Sequence, residues 1–224
     1  MYWVLKWVLL GPLIRWFSRP QLVGELPDGP IVLAPNHLTE IDSLVLCTVL
    51  PRRLTFVAKG EYFTRGGTRA RLYGMLCRLT GQIPISRDGG GSADPALDAA
   101  TDVLRRGGVW AIYPEGTRSP DGRLYRGRTG AMRVALQSRC SVVPVGVLGT
   151  RSVNQPGRRG WRRGRVQIRI GAPLDLTRWE GSGSDPRAWR AATDELMVAI
   201  QRLTGQECVG RHANDVNPAD RDVA

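Results

Sequence analysis

Short apolar runs alternate with stretches of helical spacing along most of the chain. The apolar runs have the length and composition of buried strands and lie at residues 31–34, 54–58, 83–85, 109–112 and 142–148, and residues 166–170 alternate apolar and polar positions. Helical spacing occurs between them at residues 41–50, 69–79, 94–106, 130–137 and 185–203. This alternation predicts an α/β fold: a single domain with a mixed, mostly parallel sheet flanked by helices.

The two ends of the chain depart from this pattern. Residues 1–17 are apolar and rich in tryptophan, but Lys6, Pro12 and Arg15 interrupt them, and a spanning helix needs about 20 apolar residues. Tryptophan beside cations is typical of the lipid interface. We therefore predict a membrane-interface helix at residues 1–20, the α/β domain at 21–204 and a disordered polar tail at 205–224. An ordinary packed N-terminal helix is the alternative.

In a regular helix Lys6 and Arg15, nine residues apart, would lie on opposite faces. We therefore expect a segment that is not cleanly amphipathic, with one cation on each side.

The chain is strongly basic, with a formal net charge of +12 over 224 residues. Such a charge indicates anionic partners: nucleic acid, anionic lipid, or phosphate esters such as coenzyme A. Between Pro51 and Arg87 eight cations stand against one acid, and a second run of arginines surrounds Trp161. Because anionic lipid attracts each such cation, we expect an anionic membrane surface as a partner. A solvated basic face is the alternative.

The spacing of the cysteines limits the metal and redox chemistry open to this chain. None of the four cysteines has the spacing of a metal site or a redox motif, so we expect no metal. Free thiols are usual in a reducing compartment, which predicts an active site facing the cytoplasm. The cysteines are Cys47, Cys77, Cys140 and Cys208.

A histidine and an aspartate follow the first apolar run of the domain. His37 lies in the turn after that run, and Asp42 opens the next predicted helix. The turn can bring the Asp42 carboxylate onto one ring nitrogen of His37, which leaves the other nitrogen free to take a proton from an alcohol. An alcohol activated in this way can attack a thioester without a serine or cysteine nucleophile. The alternative is structural, because Thr39 and Asp42 also fit a helix capping box.

Two further loops carry polar residues suited to a ligand. Residues 113–119, Tyr-Pro-Glu-Gly-Thr-Arg-Ser, follow a buried strand, where open α/β sheets usually bind ligands. Gly116 permits close approach of the backbone, Arg118 can hold a phosphate, and Glu115 can accept hydrogen bonds from glycerol hydroxyls. An ordinary turn with an Arg–Glu pair is the alternative. Residues 81–87, Gly-Gln-Ile-Pro-Ile-Ser-Arg, form a short strand that leads to Arg87.

Taken in order, these blocks resemble the glycerolipid acyltransferase family, that is, 1-acylglycerol-3-phosphate acyltransferases and their relatives. His37 and Asp42 match the family's His-x4-Asp block, and residues 81–87, 114–119 and 142–145 resemble its second, third and fourth blocks. Residues 58–61, Ala-Lys-Gly-Glu, also look like family sequence. The resemblance covers about residues 31–150, and it implies that residues 21–204 are an acyltransferase domain. Thr39 and Pro84 depart from the family, which often has serine and an aromatic residue there.

The resemblance implies transfer of a fatty acyl group from acyl-CoA or acyl carrier protein to the hydroxyl of 1-acylglycerol-3-phosphate, forming phosphatidic acid. Many members of the family carry longer membrane helices before the first block than this N-terminal segment, so we expect a peripheral enzyme at the cytoplasmic face of the membrane, with no cofactor. Glycerol-3-phosphate or another lysophospholipid remains open as the acceptor. The remote alternative is a non-enzymatic nucleic-acid-binding protein, although no recognised DNA- or RNA-binding signature is present. The implied catalytic residues are His37 and Asp42, and the implied substrate-binding residues are Lys59, Arg87, Glu115, Gly116, Thr117 and Arg118.

Overall fold

A computed structural model describes residues 2–59, 83–85, 95–158 and 160–216. Its strands are β1 (Gln21–Val23), β2 (Ile31–Pro35), β3 (Leu54–Lys59), β4 (Ile83–Ile85), β5 (Val109–Ala111), β6 (Leu124–Tyr125), β7 (Ser141–Leu148), β8 (Gln167–Ile170) and β9 (Cys208–Val209). Its helices are α1 (Tyr2–Val4), α2 (Leu10–Ser18), α3 (Asp42–Val49), α4 (Pro95–Arg105), α5 (Gly130–Ser138), α6 (Thr150–Val153) and α7 (Pro186–Thr204).

Seven of the described strands form one sheet in the order β1-β8-β7-β2-β5-β3-β4. All neighbours are parallel except β7 and β8, which are antiparallel, so β1 and β8 run against the other five strands. The predicted mixed, mostly parallel sheet is therefore confirmed. The predicted helix at residues 69–79 and the cap Asp94 lie outside the described residues.

Strand β2 lies near the middle of the sheet and is buried on both faces. Ile31 and Leu33 belong to a core shared with α2 and α3, whereas Val32 and Ala34 belong to a core shared with α4, α5 and α7. A strand covered by helices on both sides needs an unbroken apolar run, which is the pattern that the sequence has there. The chain leaves this rigid strand at Pro35 and enters the turn that contains His37.

A π-helical turn (Leu5–Leu9) joins α1 to α2. Such a turn contains about one residue more than an α-helical turn, so the side chains of all later residues are rotated about the helix axis by about 100°. Lys6 and Arg15 consequently both reach the C-terminal end of α3: Lys6 Nζ donates to the Leu50 carbonyl, and Arg15 Nη2 donates to the Thr48 carbonyl at 2.9 Å. The expectation of one cation on each side of the helix is wrong, because it assumed regular helical geometry.

The N-terminal helix packs on the domain along one face and exposes apolar residues along another. Gly11, Ile14 and Ser18 are buried. Within the described part of the chain, no helix is both long enough and apolar enough to cross a bilayer. The exposed residues, which we call the tryptophan face, are Trp3, Val4, Trp7, Val8, Leu13 and Trp16.

The segment after α7 differs from the predicted disordered tail. Strand β9 pairs in parallel with β6, and Ala213 and Val216 are buried against Tyr125. Residues 205–216 thus belong to the folded domain, and residues 217–224 lie outside the described residues. The prediction of disorder from composition was wrong for residues 205–216, because a few buried contacts and one strand pair are enough to order a short polar segment.

Candidate active site

His37 and Asp42 form a hydrogen-bonded pair at the carboxyl end of β2. The Nδ1 atom of His37 lies 2.9 Å from Asp42 Oδ2. The Asp42 side chain is completely buried, while 17% of the His37 side chain is exposed. Nε2 makes no hydrogen bond within the part of the chain that the structure describes. A carboxylate that binds Nδ1 favours the tautomer in which Nε2 is unprotonated and can accept a proton.

Four donors surround the Asp42 carboxylate. Besides His37, the backbone amides of Leu38 and Thr39 donate to Oδ2 at 2.6 and 2.9 Å, and Thr39 Oγ1 donates to Oδ1 at 2.8 Å. The acid therefore reaches back to the Thr39 amide as in a capping box, but the Thr39 hydroxyl donates to the acid instead of accepting from the backbone. Asp42 organises the turn and orients His37 at the same time.

The backbone of His37 is fixed from the β5 side. Glu115 Oε1 accepts from the His37 amide at 3.0 Å, and the Ser119 amide donates to the His37 carbonyl at 2.8 Å. Glu115 Oε2 accepts from the Tyr125 amide at 3.0 Å. Residues that follow β5 thus hold the residue that follows β2, as adjacent parallel strands permit.

Glu115 is 1% exposed, and burial raises its pKa to about 7 although the two backbone amides oppose the shift. Nearby Asp42 and Asp121 add to the increase. Both carboxylate oxygens already accept from the backbone of this domain, so Glu115 supports the site from beneath. Its carboxylate is buried under the loop, and among the described residues it forms no ion pair with an arginine.

Asn36 and Tyr113 complete the support for His37. The Asn36 side chain donates to the Val147 carbonyl at 3.0 Å and accepts from the Val147 amide at 2.7 Å, so it joins β2 to β7 beyond the end of the strand. Asn36 also donates to Gln206 Oε1 at 2.9 Å, which ties the segment after α7 to the site. The Tyr113 ring stacks on the imidazole with centroids 3.7 Å apart.

The remaining predicted substrate-binding residues lie in the loop after β5, at the end of β3, or outside the described residues. Gly116 turns the chain with a φ of 74°, and Thr117 is half-buried in the same loop. Arg118 is exposed and pairs with Glu40 at 2.7 Å. Lys59 is the last residue of β3, at the carboxyl end of the parallel strands, but its side chain is not described. Arg87 lies outside the described residues.

Arg128 is a neighbour of the loop that the sequence did not reveal. A Cβ on Gly116 would lie 2.8 Å from Arg128 Cδ and Nε, so the arginine side chain extends across the glycine. The Arg128 amide donates to the Pro114 carbonyl at 2.7 Å, which fixes its base. The side chain makes no ion pair among the described residues. The sequence gives no sign of this contact, because Arg128 is 12 positions after Gly116. The chain folds back through β6 and so brings Arg128 next to Gly116.

The arginine run around Trp161 packs against the end of the N-terminal helix. Trp161 is half-buried, and its ring meets Phe17 edge to face at 5.9 Å. Arg163 lies over the ring of Trp16 at 4.4 Å. Trp161 therefore does not present a free stacking surface for bases. Arg163 thus links the basic run to the tryptophan face.

Comparison with known proteins identifies the family to which this chain belongs. The family model described as Acyltransferase matches residues 19–148, which contain the His37–Asp42 pair and the Glu115 loop. The chain belongs to the acyltransferase family.

Similar proteins point to a narrower group. The chain is 31% identical over 150 residues to 1-acyl-sn-glycerol-3-phosphate acyltransferase alpha of Bos taurus, covering 66% of this chain and 50% of that protein. It is 25% identical over 178 residues to the 1-acyl-sn-glycerol-3-phosphate acyltransferase of Cocos nucifera, covering 79% of this chain and 54% of that protein. The chain thus spans about half the length of these relatives.

A solved structure shares the fold. The crystal structure of the 1-acyl-sn-glycerophosphate acyltransferase PlsC from Thermotoga maritima superposes with a TM-score of 0.64 at 23% identity, covering 87% of this chain and 78% of that chain. The mixed sheet flanked by helices is therefore an architecture that an acyltransferase of known structure also has.

Proposed function

We propose that this protein is an O-acyltransferase that transfers a fatty acyl group from an acyl thioester to the hydroxyl of 1-acylglycerol-3-phosphate, forming phosphatidic acid. The observation that carries the proposal is the His37–Asp42 pair, in which Nδ1 is held by a buried carboxylate and Nε2 is left for a substrate. The names of the similar proteins support this acceptor above glycerol-3-phosphate or another lysophospholipid.

In the proposed reaction His37 acts as a general base. Nε2 takes the proton of the acceptor hydroxyl while its oxygen attacks the thioester carbonyl. The C–O bond forms, the C–S bond breaks, and the imidazolium returns its proton to the departing thiolate. Asp42 stabilises the imidazolium, and its own backbone and hydroxyl donors fix it in place. Acyl-CoA and acyl carrier protein both supply a suitable thioester.

We propose that the arginines around the loop recognise the acceptor's phosphate. Arg118 and Arg128 are the described candidates, and Arg87 and Lys59 are carried from the family resemblance. Guanidinium groups bind phosphate oxygens through charge-assisted hydrogen bonds, which are stronger than neutral ones. Gly116 and Thr117 shape the loop between them, and Glu115 acts beneath it as a positioning residue.

We also propose that the protein works at an anionic membrane surface, attached peripherally at the cytoplasmic face. The tryptophan face and the adjoining arginines supply the apolar and electrostatic attractions that stable attachment commonly requires together. The half-buried position of Trp161 argues against a nucleic-acid-binding protein.

The experiment is a panel of acceptors and donors with the detergent-solubilised wild type, His37→Ala and Arg118→Ala. Acceptors vary in phosphate and in existing acylation, and donors are acyl-CoA and acyl carrier protein. We expect His37→Ala to lower kcat by about 10² to 10⁴ without lowering Tm, because general-base assistance has that magnitude. Near-normal turnover in a folded His37→Ala protein would refute the dyad.

Arg118→Ala tests the acceptor within the same panel. We expect it to raise the KM of the phosphorylated acceptor far more than that of the donor, and to leave an unphosphorylated acceptor unchanged. Arg106→Ala, an exposed arginine at the end of α4, is the matched control. Equal losses for phosphorylated and unphosphorylated acceptors would show that Arg118 does not contact the phosphate.

A further inference from the structure

An open cleft lies beside the active site, on the side of β2 away from β5. It measures about 280 Å³ and is bounded by the end of α2, the end of β7 and the segment that leads into β8. None of its lining residues is acidic. They are Arg19, Gln21, Leu148, Gly149, Arg165, Val166 and Gln167.

Strand register places this cleft at the same edge of the sheet as His37. Leu148 pairs with Gln167, and Gln167 pairs with Gln21, so the three residues stand side by side across β7, β8 and β1. The Asn36 side chain bonds to Val147 at the same level of β7. With neighbouring strands about 4.8 Å apart, β8 lies roughly 10 Å from β2. A ligand in the cleft is close enough to belong to a molecule that reaches the dyad.

The cations of the cleft have no acidic partner among the described residues. Neither Arg19 nor Arg165 forms an ion pair or a side-chain hydrogen bond within the residues that the structure describes. Arg19 also occupies the left-handed region, with a φ of 39°, at the end of a helix where glycine is favoured. Two guanidinium groups and two glutamines without an acid suit an anion with several acceptor oxygens.

We propose that the cleft lined by Arg19 and Arg165 is a second phosphate-binding site, separate from the arginines of the Glu115 loop. Its ligand is a phosphate ester group. Two sources fit this chemistry: the phosphate at the far end of the donor's pantetheine arm, and the headgroup of an anionic lipid beside the tryptophan face. The proposal of a phosphate site depends only on the residues of the cleft, whereas the assignment of that phosphate to the donor rests on the proposed function.

The test compares the full chain with Arg19→Gln, Arg165→Gln and the double variant. Arg106→Gln is the matched control, because Arg106 is exposed, lies just after α4, and neither lines the cleft nor belongs to the arginine run around Trp161. Arg19→Gly is a second variant at this position. Glycine adopts the left-handed backbone conformation without strain, so this variant should fold even if Arg19→Gln does not. Thermal melts verify folding of each protein.

The first arm measures binding of pantetheine 4′-phosphate and of inorganic phosphate by calorimetry, without turnover. The second arm measures co-sedimentation with phosphatidylglycerol–phosphatidylcholine vesicles and with pure phosphatidylcholine vesicles. We expect each cleft substitution to weaken one of these interactions about tenfold, and Arg106→Gln to change neither by more than about twofold. Weaker pantetheine phosphate binding with a higher donor KM identifies the donor, whereas a loss confined to phosphatidylglycerol vesicles identifies the headgroup.

Binding to both probes that is unchanged in the folded double variant would overturn the proposal. Failure of the proposed function would look different. In that case the wild type and His37→Ala would both lack transfer activity, while the cleft substitutions would still weaken phosphate binding.

Discussion

At the scale of the single residue, Asp42 combines two tasks that the sequence presented as alternatives. It organises the turn after β2 by accepting from two backbone amides and the Thr39 hydroxyl, and it orients His37. Both tasks use the same carboxylate, so neither alternative excludes the other. Only a substitution that keeps the shape and removes the charge can separate them.

We predict that Asp42→Asn folds normally and loses most of its activity. An amide oxygen at the Oδ2 position can still accept from His37 and the two backbone amides, and the Thr39 hydroxyl can rotate to accept from the new amide group. The lost charge no longer stabilises the imidazolium. Turnover measured beside a thermal melt checks this.

The matched control is Asp185→Asn, at a helix N-cap where asparagine caps about as well as aspartate. It should retain both activity and Tm. Wild-type turnover by Asp42→Asn would show that Asp42 only organises the turn.

Glu115 leads to a prediction about pH. Its folded-state pKa is raised from 4.5 to about 7, so the folded protein keeps a proton that the unfolded chain releases between these values. The contribution of this group to stability is therefore complete below pH 4.5 and falls as the pH rises towards 7, by roughly 3 kcal/mol. Glu115→Gln removes this dependence, so the variant should gain stability relative to wild type over that range. Urea unfolding from pH 4.5 to 8 measures the difference.

The control for Glu115 is Glu25→Gln at an exposed position. Its stability difference from wild type should stay nearly constant over the same pH range. Parallel curves for wild type and Glu115→Gln would contradict the raised pKa.

At the scale of the element, the N-terminal helix supports the helix that begins with Asp42. Lys6 and Arg15 donate to carbonyls at the C-terminal end of α3, where positive charge is favourable. Burial lowers the pKa of Lys6, yet its donor still satisfies the Leu50 carbonyl. The π-helical turn is what directs both cations to one place.

We predict that Arg15→Met and Lys6→Met each lower the free energy of unfolding by roughly 1 kcal/mol, because each leaves a carbonyl of α3 without its charged donor. Methionine keeps most of the aliphatic packing. Chemical denaturation measures the change, with Arg106→Met as the exposed control. Unchanged stability in both variants would show that these contacts do not hold α3.

The segment after α7 is the element that composition misrepresented. Its sequence is polar, but Gln206 donates to the Gly122 carbonyl at 2.6 Å and accepts from Asn36, beside His37. Hydrogen bonds to distant parts of the chain do not appear in local hydropathy. A segment that looks like a tail therefore supports the candidate site.

At the scale of the whole molecule, apolar and basic groups gather on one side. Arg163 lies over the ring of Trp16 on the tryptophan face, and α2 covers the sheet face opposite α7. The side that we propose to face the membrane therefore also carries the cleft at the end of α2.

We predict that Trp3, Trp7 and Trp16 changed together to serine abolish salt-resistant binding to anionic vesicles. Salt at 1 M shortens the Debye length to about 3 Å and screens the arginines, whereas it does not weaken apolar insertion. The substituted protein should bind only at low salt. Co-sedimentation at both salt concentrations makes the measurement.

The control for this surface is Val198→Ser, an exposed apolar residue on α7, at the opposite face of the sheet. It should bind vesicles as the wild type does. Salt-resistant binding by the triple variant would place the anchor elsewhere, and no vesicle binding by the wild type would refute the proposed membrane surface.

The sequence by itself determined the α/β architecture and the candidate dyad. Buried parallel strands require unbroken apolar runs, and helices between them require 3.6-residue spacing, so both leave local marks. His37 and Asp42 are close in sequence, and one turn is enough to join them. Only the tertiary structure decided the buried support by Glu115, the position of Arg128, the order of residues 205–216 and the arginine cleft. Each depends on strand pairing or packing that brings together segments far apart in sequence, and such contacts leave no local pattern.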